Sequence, residues 1–431
     1  MSSNRKFKET EIGKIPEDWD LRTVDEIKSD EKSSIISGPF GSNISSRFFV
    51  SSGIPVIRGN NLREDMTRFI DEGFVFLTKE KADELHTWAK RGDIIFTAAG
   101  TIGQVGIIPE KSNYNEYIIS NKQLRLRVNP NKILPLFAFY WLSSPKMVTY
   151  IQQRNTGSTI PLINLSILKS LPIIVPSLSE QRAIAKILSD LDAKIELNRQ
   201  TNATFEAIAQ SIFREWFVEF NFPNATGEIV ESELGLIPSR CMVGTLGDIL
   251  EVKGGTTPST KEENFWNGEY YFATPKDLSN LTSPILLNTE RKITKEGISQ
   301  ISSGILPAGT LLLSSRAPIG YLAISNIPVS INQGFIAINA KKTSNLFALH
   351  WLKENMETVI SRANGSTFLE ITKTNFKEIE IVIPDPETTK RFDEIVSPIF
   401  EQIKNNEQQS ATLASIRDAL LPKLMSGEIE V

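Results

Sequence analysis

Between Ser179 and Phe220 one set of positions returns at alternating steps of four and three: Ile184, Leu188, Leu191, Ile195, Asn198, Asn202, Phe205, Ala209, Ile212 and Trp216. All but the two asparagines are apolar. That spacing places them on one stripe of a helix and predicts the seam of a coiled coil. With a rise of about 1.5 Å per residue, such a helix is about 50–60 Å long. The stripe comes back 208 residues later as Phe392, Val396, Ile399, Ile403, Asn406, Ser410, Leu413, Arg417, Leu420 and Leu424. Asn198 and Gln200 map onto Asn406 and Gln408, so the polar interruption is repeated too. An asparagine in a seam lowers stability but fixes register and partner. The shared offset therefore predicts that the two helices pair with each other. Pro398 falls inside the second stripe, where it predicts a kink or a later helix start, and Pro422 predicts the helix end.

The segments between the stripes alternate differently. Short apolar runs bounded by Gly, Asn and Pro read as strands. Ile54-Pro-Val-Ile57 corresponds to Tyr271-Phe-Ala273, and Gly92-Asp-Ile-Ile-Phe-Thr97 to Gly309-Thr-Leu-Leu-Leu-Ser314, the latter at an offset of 217. The opening Ile12-Gly-Lys-Ile-Pro16 is answered by Leu234-Gly-Leu-Ile-Pro238 at an offset of 222. Each half then carries a short apolar helix (136–142 and 346–352), a Gly-Ser-Thr turn, and a strand ending in Pro176 or Pro384 that leads into the long helix. The chain thus reads as an internal duplication. It is an α+β protein, with two homologous β-rich domains, each followed by a long helix, and the two helices paired with each other. The boundaries read as residues 1–178 for the first domain and 179–220 for the first helix. A polar linker at 221–233, a second domain at 234–385, and a second helix and tail at 386–431 complete the chain.

Composition narrows the function. A single cysteine, Cys241, excludes an internal disulfide and fits a reducing, cytoplasmic setting, and no apolar run is long enough to cross a membrane. With 47 basic and 51 acidic residues the net charge is −4. The two helical segments hold −5 of it, leaving +1 on the rest. Such a chain would bind nucleic acid through local basic patches or with help from a more basic subunit. Only two histidines, His86 and His350, are present, which argues against a histidine metal site or triad. The glycine-rich run Ala99-Gly-Thr-Ile-Gly-Gln-Val-Gly106 precedes a strand-like Ile107-Ile108-Pro109 rather than a helix, so it reads as a turn between strands, not a phosphate loop. No catalytic residue and no metal ligand is expected.

Polar turn residues are the better lead, because Arg, Lys, Asn, Gln, Ser and Thr can read base edges. In the first half these are Ser42, Asn43, Arg58, Asn60, Asn61, Thr97, Thr101, Asn121, Lys122, Gln123, Ser158 and Thr159. In the second they are Thr256, Thr257, Lys276, Asp277, Ser315, Arg316, Asn332, Gln333, Ser366 and Thr367. For any one of them, service to its own turn is the commoner role. The aromatic tract Phe213, Trp216 and Phe217 carries more apolar surface than one seam needs. It reads either as a docking surface for a partner subunit or as core packed on the globular domains.

Ser179-Glu-Gln-Arg-Ala-Ile-Ala-Lys-Ile-Leu188, Phe213-Arg-Glu-Trp-Phe-Val-Glu-Phe220 and Leu420-Leu-Pro-Lys-Leu-Met-Ser-Gly-Glu-Ile429, with the duplication, resemble the specificity subunit of type I restriction-modification systems over essentially the full length. The second copy departs from the pattern at its helix start, Glu387-Thr-Thr-Lys390. The resemblance implies a non-catalytic subunit in which each β-rich domain reads one half of a split site on double-stranded DNA. In it the two long helices hold these target-recognition domains apart as an antiparallel coiled coil with approximate two-fold symmetry. It implies two methyltransferase subunits that carry S-adenosylmethionine, with no cofactor on this chain, and motor-nuclease subunits for cleavage. The alternatives are a self-contained DNA methyltransferase or restriction component and a protein-binding coiled-coil adaptor.

Overall fold

The computed structural model describes residues 5–365 and 369–431. The chain divides into two compact units, residues 1–193 with 413–431, and residues 194–412. Two helices of 40 residues, α1 (Leu178–Phe217) and α2 (Pro386–Met425), each contribute to both.

In the first unit, two four-stranded sheets share a construction. One runs Val75–Leu77, Ile54–Ile57, Glu116–Ile119, Trp88–Lys90 in order across the sheet, and the other Ile35–Ser37, Gln123–Leu126, Ile94–Thr97, Val105–Ile107. The apolar strand Pro172–Val175 pairs antiparallel with Asp20–Thr23, which brings the chain back to its start just before α1. Its core gathers Trp19, Phe137 and Trp141 with Ile184 and Leu188 of α1 and Leu421 and Leu424 of α2.

The second unit repeats this plan. Its sheets run Leu250–Gly254, Phe335–Ala340, Leu311–Ser315, Ile319–Ser325, Ile285–Leu286, and Arg291–Ile293, Trp266–Ala273, Val329–Ile331. Met242–Thr245 pairs with Glu380–Ile383 as its counterpart does in the first unit. The domain starts earlier than its polar sequence suggests. Ile229–Ser232, placed in the linker by composition, is a strand that forms a hairpin with Gly235–Pro238. It repeats the first unit's hairpin of Phe7–Thr10 and Gly13–Pro16. Its outward Ile229, Val230 and Leu236 lack the alternation that marks a half-buried strand.

Each long helix has a defined start. Ser177 caps α1, its hydroxyl accepting the Glu180 N–H while the Glu180 carboxylate accepts the Ser177 N–H, a capping box. The second copy lacks that serine, and Asp385 replaces it by accepting the N–H groups of Glu387 and Thr388. Helix α2 therefore starts at Pro386, not at Pro398, and passes Pro422 to end at Met425. Pro398 and Pro422 are both exposed, so the carbonyls they leave unpaired lie toward water.

Every seam position is buried or half-buried. Within the second unit Asn406 donates to Asn202 Oδ1 at 2.8 Å, while Asn198 donates to Ser410 Oγ at 3.1 Å. Residue numbers fall along one helix as they rise along the other, so the pair is antiparallel. At the offset of 208, Asn406 is the counterpart of Asn198 and Ser410 that of Asn202. The two layers are thus one layer seen from either helix, with a single Asn-to-Ser change between them.

Candidate nucleic-acid interface

Strand ends converge in the first unit. The N–H of Gly38 bonds the Gln123 carbonyl, that of Ser120 the Ile57 carbonyl, and that of Ala98 the Lys122 carbonyl. The Gly100 N–H reaches the Pro161 carbonyl, and Ile163 returns to Ala98. These bonds gather the turns at 38–43, 58–61, 98–104, 120–123 and 155–163 at one edge. A cleft of about 450 Å³ opens there, lined by Ser37, Ala98, Ala99, Asn121, Leu124 and residues 162–166. The glycine-rich run is the turn of the hairpin Ile94–Thr97/Val105–Ile107. Gly103 sits at φ +104° with no room for a Cβ, which would lie 2.9 Å from the Val148 side chain.

The second unit repeats the edge. Ser315 bonds the Gly334 carbonyl, Ile371 the Ser315 carbonyl and Asn332 the Ala273 carbonyl. A Cβ on Gly38 would strike the Ser120 carbonyl, and one on Gly255 the Ile331 carbonyl, so both glycines mark the same close approach. The strand pairings make the correspondence residue by residue. Gln123 lies opposite Thr97 as Phe335 lies opposite Ser314, so Asn121 stands where Gln333 does. Likewise Phe40 stands where Thr257 does.

The predicted polar residues divide into two groups. Ser42, Asn43, Asn60, Thr101, Asn121, Lys122, Ser158 and Thr159 are exposed, and Arg58 is half-buried, with one guanidinium nitrogen on the Gly73 carbonyl at 3.2 Å. Three others serve the fold, which corrects their assignment to the reading set. Asn61 is fully buried, accepting from the Arg58 N–H and donating to the Ile70 and Glu72 carbonyls. Thr97 is buried and donates to Gln104 Oε1 at 2.8 Å. Gln123 is fully buried against Ser120.

In the second unit Thr257, Lys276 and Gln333 are exposed, with Thr257 donating to Gln333 and Lys276 paired to Glu290 at 2.8 Å. Arg316, half-buried, faces Glu370 at 3.5 Å, and Asn332 accepts the Gly334 N–H. Thr256 is tied to the Gln300 carbonyl. Ser315 is buried, and Asp277 caps a helical turn by accepting the Thr274 N–H at 2.7 Å, so neither is free to read a base. Asp277 and Asn61 are counterparts, and both are caps. Ser366 and Thr367 lie outside the described residues.

The aromatic tract is core, not docking surface. Phe213 and Trp216 are buried, and with Phe217 they pack on Phe347 and Phe392 inside the second unit. His350 stacks on Phe213 and donates from Nδ1 to Gln210 at 2.8 Å, and burial pushes its pKa down to about 3. Among the described residues no group of three His, Cys, Asp or Glu side chains could hold a metal ion, and no helix is long and apolar enough to cross a membrane.

Two homologous β-rich units, each presenting one edge of polar turns and each packed on an antiparallel helix pair, define a class of duplicated recognition protein. The family profile described as the type I restriction modification DNA specificity domain matches the chain twice, at residues 16–207 and 238–415. The chain belongs to that family. It is 29% identical to the type I restriction enzyme MjaIX specificity subunit of Methanocaldococcus jannaschii, over 99% of this chain and 96% of that one. To the HindI specificity subunit of Haemophilus influenzae it is 24% identical, over 79% and 87%. The crystal structure of a type I S subunit from M. genitalium superposes with a TM-score of 0.54 at 17% identity, covering 98% of this chain and 97% of that one, which places the two in one fold.

Proposed function

We propose that the chain is the DNA-specificity subunit of a type I restriction-modification complex and that each unit reads one half of a bipartite double-stranded target. The repeated edge of converging turns carries this reading. The two edges share their backbone frame, and the side chains on it differ, with Asn121 against Gln333, Asn60 against Lys276 and Phe40 against Thr257. One frame with two chemistries suits two different half-sites. Exchanging residues 1–177 for those of a relative changes one half of the methylated sequence and keeps the other. Methylation sequencing that finds both halves altered overturns the reading.

The chemistry belongs to partners. Two methyltransferase subunits, each binding S-adenosylmethionine, methylate adenine, and motor-nuclease subunits join for cleavage. The surface that fits the methyltransferase is on the helices. Ile187 and Ile416 in the first unit, and Ile208 and Ile395 in the second, are 37–43% exposed. Ile395 and Ile416 are Ile187 and Ile208 displaced by 208, and within each helix the two are three heptads apart. All four therefore take one heptad position, immediately before a seam residue. A surface duplicated with the chain suits two copies of one partner.

A further inference from the structure

We propose that Phe40 is an apolar wedge that enters the base stack of the half-site read by the first unit, a contact the second unit does not make. This deepens the DNA-reading assignment and rests on it.

Phe40 is 86% exposed, the most exposed large apolar side chain among the described residues. A singly exposed apolar residue is ordinary on a protein surface. What sets Phe40 apart is that so exposed a side chain sits on a backbone held in place. The neighbouring Pro39 fixes its own φ, and Phe40 itself is extended at φ −58° and ψ 143°. Gly38 is hydrogen-bonded to Gln123, and a side chain at Gly38 would strike the Ser120 carbonyl, so the loop base is pressed onto the sheet edge. Beyond the ring, the Asn43 N–H closes a turn on the Phe40 carbonyl at 2.9 Å. The loop is thus anchored on both sides, and its apolar ring is left without a protein partner in this unit.

What surrounds the ring indicates its occupant. A Cβ on Gly41 would lie 3.1 Å from the Asn121 side-chain nitrogen, so the loop borders the exposed Asn121 and Lys122. Ser42 and Asn43 follow on the same loop, and Arg47 reaches back to the Ser42 carbonyl at 3.4 Å. A ring bordered by amide, hydroxyl and cationic groups, with Ile160 and Leu162 exposed on the 155–163 turn of the same edge, is more mixed than either a wholly apolar protein interface or a solvated turn. It does match duplex DNA, in which polar edges and phosphates flank apolar base faces. With 86% of its surface exposed, the side chain is open to insertion between bases, most easily at a flexible pyrimidine–purine step. In the second unit the same position is Thr257, whose hydroxyl is engaged with Gln333. The wedge is therefore a property of one half-site.

The test uses the full chain assembled with its methyltransferase, and duplexes carrying 2-aminopurine in either half-site at positions other than the adenine to be methylated, which the methyltransferase itself takes out of the stack. Wild-type complex brightens the probe in the first half-site only. Phe40→Ala abolishes that signal and weakens binding about 10- to 100-fold, the loss expected for one aromatic–base stack, while Phe40→Trp retains both. Phe40→Ala with unchanged affinity and unchanged probe signal overturns the wedge. So does a loss matched by replacing thymine with uracil in the first half-site without any probe signal, which indicates a methyl contact. Failure of Phe40→Ala to assemble with the methyltransferase in the absence of DNA makes the ring a subunit contact, and also overturns it. In all three cases the parent reading survives if wild type still methylates a bipartite target, and fails if it binds no sequence selectively.

Discussion

In the first unit the helix pair meets its β-rich domain through a charged contact beside the apolar one made by Ile184, Leu188, Leu421 and Leu424. Arg417 of α2 holds Asp192 of α1 at 3.0 Å and the Asp65 carbonyl at 3.1 Å, while Tyr140 donates to Asp192 and accepts from Arg68 at 2.9 Å. In the second unit the equivalent places hold rings and a methyl group. At the offset of 208, Asp192 becomes Phe400 and Arg417 becomes Ala209, and His350 takes the place of Tyr140. One sequence thus carries a buried ion pair and an apolar replacement for it in homologous settings. Burying both ions costs desolvation that their attraction barely offsets, and apolar packing avoids it. The ion pair's distinct contribution is directional: Arg417 ties helix, helix and loop with hydrogen bonds that rings cannot supply. Burial works against the charge of Arg417, but Asp192 and Asp418 outweigh it and raise its pKa.

The largest effect should come from breaking the charged contact on one side only. Arg417→Ala removes the main partner of Asp192 but leaves it Tyr140 and, at 3.6 Å, Arg68, so it should cost about 3 kcal/mol, the low end for breaking a buried pair. Adding Asp192→Phe transplants the second unit's pair and should recover at least half of that. Hydrogen exchange of amides in the first unit measures both; a single variant that costs less than about 1 kcal/mol would mean the pair behaves like a surface one.

Trp216→Ala probes the other side. Removing a large buried ring should cost about 3 kcal/mol, within the range for aromatic truncation in a core. The folded variant should still capture the methyltransferase, whereas Ile416→Asp should fold normally and capture it poorly. Co-purification at a temperature well below each melting point separates the two, and the opposite pattern would return the docking role to the aromatic tract.

How far the sequence disclosed these differences depends on the kind of information needed. The seam, the duplication and the strand runs follow from periodicity, which is local, and the structure has them where the periods place them. The reading residues do not. Asn61 and Asp277 have side chains suited to bases, yet both are spent on caps, because the same acceptor that reads an amine also closes a turn. Thr97 and Gln123 sit on strand ends whose burial is set by partners distant in sequence. Residue type takes Thr257 into the polar set, and the strand register puts Phe40 in its place in the first unit, an apolar residue that a search for polar readers passes over.

The next effect is a pH dependence that is larger in the second unit. First-unit carboxylates such as Glu31, held low by the Arg127 guanidinium, begin to cost stability only as pH falls into the ordinary carboxylate range. His350 has a folded pKa of about 3 against an ordinary 6.5, because burial disfavours its charged form. The unfolded chain therefore binds more protons between those values, and stability falls as pH drops from 6.5 toward 3. By pH 4.5 the loss should be about 2–3 kcal/mol. Asp393, pushed up by burial near Ser344, acts in the opposite direction around its own ordinary range and reduces the total. His350→Phe should remove the histidine's slope, and Tyr140, its counterpart, should give the first unit none in this window. Unit-resolved hydrogen exchange at pH 6.5 and 4.5 tests the contrast. Equal losses in both units would show that His350 is not the cause.

The smallest effect concerns the asparagine layers, which favour uniqueness over stability. Asn406 donates to Asn202, and Asn202 donates in turn to Glu407 at 2.8 Å and to the Ile403 carbonyl at 3.4 Å, so the buried amides are satisfied only in this register. Asn406→Ala strands part of that network and should cost about 1 kcal/mol. Replacing both Asn202 and Asn406 with Leu has the opposite sign. The apolar layer should stabilise the second unit by about 1 kcal/mol, while a helix slipped by one heptad now meets a layer it tolerates as well. Spin labels at the exposed Gln200 and Gln408 report this directly, since both lie in the second unit near the centre of the repeated seam. Wild type should give one narrow distance distribution and the double-leucine variant a broadened or second one. A variant that is both more stable and equally narrow would show that the flanking apolar layers set the register without the asparagines.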